Sequence, residues 1–186
     1  MWTLPNMLTA SRIGLVPLLF FALSQDAPQA FIWALLVAAL AEITDLLDGF
    51  IARRFNQASE FGAQFDPLAD SLYRLGAFTA LAASGLIPVW TVLVFAWRDV
   101  LVSYARLMMQ SRGRAVGARL SGKLKAIVQG AAIIALLGAP LLPLGWLAPA
   151  VADTIAQACF WLALAITGWS GIDYLQAGLR KPDHAA

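Results

Sequence analysis

The sequence predicts an all-α integral membrane protein with six transmembrane helices, a short N-terminal interfacial segment and both termini in the cytoplasm. Three observations carry that expectation. The 186 residues are 60% hydrophobic and only 13% charged, with mean hydropathy +0.72, whereas a soluble domain has about 25% charged residues. Six stretches approach the ~20 apolar residues needed to cross a bilayer. The Lys and Arg residues collect in alternate connections. The length suits a single domain over residues 1–186. This composition excludes disordered, collagen-like and soluble nucleic-acid-binding chains. The net charge of +2 decides nothing.

The expected spans are 8–23, 31–50, 67–86, 89–110, 124–144 and 151–175. Residues 1–5 are too short to span and read as an interfacial segment anchored by Trp2. They have neither a basic start nor a cleavage site, so no removable signal peptide is expected. Turn chemistry separates the spans: Ser24 to Pro28, Gly85 to Pro88, and Gly138 to Gly145 with Pro140 and Pro143. Arg53 and Arg54 follow the second span. Arg112, Arg114, Arg119, Lys123 and Lys125 lie around the fourth connection, and Arg180 and Lys181 follow the sixth span. Basic residues gather on the cytoplasmic side, which places these segments there and the protein in the cell inner membrane. Cys159 is alone and His184 is the only histidine, so a disulfide, a zinc cluster or a histidine-based centre is not expected.

Glu42, Asp45, Asp48, Asp66 and Asp70 sit where carboxylates are costly, at the cytoplasmic ends of the second and third spans. Asp45 and Asp48 are three apart and Asp66 and Asp70 four apart, so each pair shares a helix face. Four carboxylates in one cavity repel unless something positive joins them. Oxygen ligands without His or Cys suit Mg²⁺, Mn²⁺ or Ca²⁺, and two such ions would also hold a diphosphate. The alternative is a buried salt-bridge network with Arg53, Arg54 or Arg74 and no chemistry.

The run Asp45-x2-Asp48-Gly49-x2-Ala52-Arg53-x8-Gly62-x3-Asp66-x3-Asp70 resembles, position for position, the signature of the CDP-alcohol phosphotransferases, and the resemblance extends over the whole chain. It implies metal-dependent transfer of a phosphatidyl group from CDP-diacylglycerol to an alcohol, with release of CMP. By the resemblance Asp45 and Asp66 bridge two Mg²⁺ (or Mn²⁺) ions, Asp48 completes one site and Asp70 the other. Asp70 is also the implied general base. Gly49 and Ala52 let the nucleotide approach the helix, Arg53 grips the diphosphate, and Ser59 and Gly62 lie on the cytidine side. Asn6, Thr9 and Arg12 match the family's first segment, which closes over the donor. They also suit a plain reading as a helix cap and an anchoring arginine.

The acceptor is harder to read. Gly122-Lys123-Leu124-Lys125-Ala126, with Gln129 following, resembles a segment of bacterial phosphatidylglycerophosphate synthases and of cardiolipin synthases of the same fold. That resemblance favours glycerol 3-phosphate as acceptor. Arg119, Lys123 and Lys125, with Arg98 and Arg106, are the expected contacts to its phosphate. A basic cytoplasmic loop equally serves orientation and anionic lipid headgroups, and Arg98 equally suits a pair with Asp99. Ala126 stands where the family has threonine. Ser71-Leu72-Tyr73-Arg74 follows Asp70 where a lysine is usual, which leaves Arg74 to pair with a carboxylate or to reach the acceptor.

Phosphatidylglycerol, an inositol phosphate and serine are the alternative acceptors. A prenyltransferase would want a second aspartate-rich motif after Asp70. A divalent-cation channel would want acids leading to the far face, where only Asp26 and Asp153 lie. The family resemblance also implies a homodimer, for which the small residues Ala38, Ala39 and Ala41, or those of the third and fourth helices, are candidates. No nucleic-acid partner is expected.

Overall fold

The computed structural model describes residues 4–27, 29–54, 60–111, 120–142 and 148–179; the side chains of 4–5, 48–53, 60–61, 63 and 178–179 lie outside the description. Within those limits the chain is all helical. The helices are α1 (Leu4–Leu23), α2 (Ala30–Arg54), α3 (Glu60–Ala83), α4 (Trp90–Ser111), α5 (Leu120–Gly138), with a short 3-10 turn at Ala139–Leu141, and α6 (Pro149–Leu179). All six expected helices are present, and the ends differ from expectation in instructive ways.

α1 begins at Leu4 and takes in part of the expected interfacial segment. Pro5 is no obstacle there, because the first turn of a helix has no partner for its N–H groups in any case. α3 starts at Glu60 and runs through Pro67, seven residues ahead of the expected span. The expected start was set by hydropathy, and hydropathy cannot see a polar helical turn that projects beyond the apolar region. α3 stops where it should. Gly85 has φ +76°, its N–H bonds Ala82 O at 3.1 Å and the Leu86 N–H bonds Leu81 O at 3.0 Å. That is a Schellman cap, whose left-handed residue is glycine for want of a Cβ clash. α6 secures the turn, with Gln157 Nε2 donating to Leu86 O at 3.0 Å.

Four helices are long and apolar enough to cross a membrane: Asn6–Leu23, Ala30–Leu47, Leu120–Leu141 and Pro149–Ala177. The chain is therefore a membrane protein. α3 and α4 have 24 and 22 residues, which is enough length, but they carry Asp66, Asp70 and Arg74, and Arg98, Asp99 and Arg106. Their charge is the site described below, and it turns inward: Arg74 and Arg98 are buried. Large apolar side chains are on the outside, among them Phe21, Trp33, Leu46 and Trp97, as expected of a surface that meets lipid.

α1 packs against both α2 and α3 and joins them, α2 packs on α5, α5 on α6 and α6 on α4. The acidic faces of α2 and α3 come together through α1, by way of Arg12 and Thr9, and directly through the Glu42–Arg74 pair. Close approach depends on small residues. Ala34, Ala38 and Ala41 form one buried stripe on α2, at 0%, 0% and 1% exposure. This corrects the expectation that Ala38 and Ala41 serve a dimer: they are spent inside the protomer, where a missing side chain lets backbones come together. At the other end Phe78 of α3 stacks on Phe95 of α4, centroids 4.0 Å apart, and Phe160 of α6 lies 6.3 Å from both. Those rings fix α3, α4 and α6 behind the charged cluster.

Candidate active site

Asn6, Thr9 and Arg12 recur every three residues on α1, so they share a face, and all three are buried. That face meets the acids. Thr9 Oγ1 donates to Asp66 Oδ1 at 2.9 Å, tying α1 to α3. Arg12 Nη1 pairs with Asp45 Oδ1, tying α1 to α2. The first helix is thus a working part of the acidic centre.

Asp70 Oδ1 accepts from Arg74 Nε at 2.9 Å. The two ends of the same guanidinium donate to both oxygens of Glu42, at 3.1 and 3.2 Å. This settles the open question about Arg74: it pairs with carboxylates. Glu42 in turn presses on α5, since a Cβ placed on Gly130 would lie 2.7 Å from Glu42 Oε2. Only glycine leaves room. Tyr73, buried beside these charges, has a hydroxyl with no hydrogen-bond partner among the described residues. Tyr73 was assigned no role from the sequence, and Glu42 was not singled out as the carboxylate that Arg74 would meet.

Three of the four expected metal-binding acids are therefore placed, Asp45 on α2 and Asp66 and Asp70 on α3. Asp66 is exposed, and Asp45 and Asp70 are 40% and 26% exposed, so the centre is open on one side. Among the described residues no three acidic groups converge to the spacing of a metal site. Each of the three carboxylates gives Oδ1 to Arg12, Thr9 or Arg74 instead. The donor set itself fits a hard divalent cation: carboxylate oxygens, with no sulfur or imidazole nearby. The salt-bridge alternative is thus present in part, through Arg74 and Arg12. Gly62 is buried on α3. Asp48, Gly49, Ala52 and Arg53 lie in the last turns of α2 but outside the described side chains, and Ser59, Arg112, Arg114 and Arg119 lie outside the described residues.

A second polar cluster is built from α4, α5 and α6. Asp99 Oδ1 accepts from Arg98 Nη1 at 2.9 Å and from Lys125 Nζ at 3.0 Å. Arg98 Nη2 continues to Ser170 Oγ at 2.7 Å. Arg106 Nη2 donates to the Tyr174 hydroxyl at 2.9 Å, and both arginines face that ring, 5.1 and 5.7 Å from its centroid. Gln129, one turn beyond Lys125, donates to Thr167 Oγ1 at 2.9 Å. Of the expected acceptor contacts, Lys125, Arg98 and Arg106 come together here. Lys123 does not. It is exposed, because two residues of helix turn a side chain by roughly 200°. α3, which carries Asp70, also packs against α5, which carries Lys125, so the two clusters lie on neighbouring helices.

The model of the CDP-alcohol phosphatidyltransferase family matches residues 2–169. The chain belongs to that family. Relatives agree over nearly its full length. A protein of Bacillus subtilis named CDP-diacylglycerol–glycerol-3-phosphate 3-phosphatidyltransferase is 32% identical, the match covering 94% of each chain. A probable phosphatidylglycerophosphate synthase of Mycobacterium tuberculosis is 35% identical over 95% of this chain and 82% of its own. A human cardiolipin synthase (CMP-forming) is 43% identical over 60% of this chain and 36% of its own. The resemblance read from the Asp45–Asp70 run is confirmed.

Proposed function

We propose that the protein transfers the phosphatidyl group of CDP-diacylglycerol to glycerol 3-phosphate, forming phosphatidylglycerophosphate and CMP. The observation that carries this reading is the presence of two polar clusters on packed helices: the Asp45, Asp66 and Asp70 acids tied together from α1, α2 and α3, and the Lys125–Asp99–Arg98 cluster of α4 and α5. A reaction between a diphosphate and a phosphorylated alcohol needs both. The names carried by the two full-length relatives support the same acceptor.

The residues divide the work. Asp45, Asp48, Asp66 and Asp70 hold two divalent ions, Mg²⁺ or Mn²⁺, which when bound neutralise the diphosphate and stabilise charge on its oxygens. Asn6 and Thr9 close over the donor from α1, while Gly49, Ala52, Arg53, Ser59 and Gly62 line the nucleotide side. Lys125, with Arg98 and Arg106, draws in the acceptor phosphate, a charge-assisted contact suited to buried cations. Asp70 takes the proton of the acceptor hydroxyl as its oxygen bonds to the lipid-bearing phosphorus. The bond from that phosphorus to the bridging oxygen breaks, and CMP leaves. Basic segments flanking the spans put both termini and the site on the cytoplasmic side of the inner membrane. A second copy of the chain completes a homodimer.

The test is an acceptor panel. Purified protein in detergent with Mg²⁺ and CDP-diacylglycerol is offered glycerol 3-phosphate, phosphatidylglycerol, inositol phosphate or serine, and CMP is followed. CMP that appears only with glycerol 3-phosphate supports the reading; CMP with another acceptor replaces it. Asp70→Asn is expected to abolish turnover while CDP-lipid binding persists.

A further inference from the structure

We propose that Glu42 and Arg74 are positioning residues that hold the Asp70 carboxylate in its working orientation. The inference deepens the proposed function and rests on its reading of Asp70 as the base.

Three features carry it. Arg74 is 4% exposed and commits its Nε and both terminal nitrogens to two carboxylates. Three of its five N–H donors are thus committed to carboxylates. An arginine one helical turn from an aspartate is, alone, a weak and mobile partner. Here the far side of the guanidinium is gripped at both ends by Glu42 of α2, a fork-on-fork contact that fixes its plane. Glu42 is itself confined by the α5 backbone at Gly130. The orientation of Asp70 is thus set by α2, α3 and α5 together, through a chain that takes hold of one oxygen, Oδ1. An aspartate turns about two side-chain bonds, and fixing one oxygen removes most of that freedom. Proton transfer needs the donor and acceptor within hydrogen-bond reach and aligned, and small misplacement costs rate far more than binding.

A purely structural ion pair would make different demands, and the experiment separates the two. The full-length protein in detergent is assayed with CDP-diacylglycerol and glycerol 3-phosphate as wild type, Glu42→Gln, the double variant Glu42→Gln/Arg74→Gln, Arg74→Ala and Asp70→Asn, with Tm measured for each. The double variant removes both charges of the Glu42–Arg74 pair together and leaves only Asp70, which is 26% exposed, without its former partner. The expected result is a kcat lower by about ten- to a hundredfold in Glu42→Gln and the double variant, with KM for both substrates little changed. Added guanidinium is expected to restore part of the kcat of Arg74→Ala. Wild-type kcat in the double variant, with Asp70→Asn inactive, overturns the positioning role and leaves the base assignment standing. A kcat loss that tracks Tm, with both KM values raised and no rescue by guanidinium, overturns it too. An active Asp70→Asn removes the base assignment and this inference with it.

Discussion

Lys123 and Lys125 differ by two positions and end in opposite environments. Lys123 is exposed, whereas Lys125 is buried and paired with Asp99. Lys125→Met is therefore expected to raise KM for glycerol 3-phosphate about tenfold, the size of one lost charge-assisted contact of about 1.4 kcal/mol. The same change at Lys123 should alter it much less, and steady-state CMP release at varied acceptor concentration measures both. Equal effects at the two positions would remove Lys125 from the acceptor site. Gly130 makes a second prediction at this scale. An added methyl would meet the Glu42 carboxylate at 2.7 Å. Gly130→Ala should therefore destabilise by roughly 1–3 kcal/mol through overpacking and lower kcat by disturbing Arg74. A thermal melt and an activity assay of one preparation give both numbers.

At the scale of elements, α1 joins the two acid-bearing helices through Thr9 and Arg12. Thr9→Val keeps the shape of the side chain and removes the bond to Asp66. The expected consequence is weaker CDP-lipid binding with little change in acceptor KM, since the cationic cluster belongs to α4, α5 and α6. Binding of a radiolabelled CDP-lipid to the variant tests it. The α2 alanine stripe shows that the small residues of that helix serve its own bundle. Ala38→Leu, at a position with 0% exposure, should cost roughly 1–3 kcal/mol of stability from overpacking with the monomer already affected. Unfolding measured in detergent below the concentration of any dimer distinguishes this from a subunit effect.

Among the described residues, Arg12, Arg74, Arg98 and Lys125 are buried in two polar clusters, and large apolar side chains are exposed on the outside. Chelation with EDTA is expected to stop CMP release, and added Mg²⁺ to restore it, because the acids of α2 and α3 must present a diphosphate rather than repel it. Full activity in chelator would overturn the metal assignment. Membrane-impermeant thiol labelling of single cysteines introduced at positions 1 and 114, in vesicles of known sidedness and a Cys159→Ala background, should mark both from the cytoplasmic face alone.

Much of this was legible in the linear chain. Helix number follows from the length of the apolar runs, and the donor chemistry follows from eight specified residues between Asp45 and Asp70. Both are local properties: a spanning helix satisfies its own backbone, and residues three or four apart share a face whatever surrounds them. The helix ends were less legible, because α3 extends through polar residues that hydropathy excludes. What only the tertiary structure decided is which charge meets which. Arg12 finds Asp45 across 33 positions, Arg74 finds Glu42 across 32, and Arg98 finds Ser170 across 72. Such pairings depend on which helices pack together, and a helix face in the sequence does not name its neighbour.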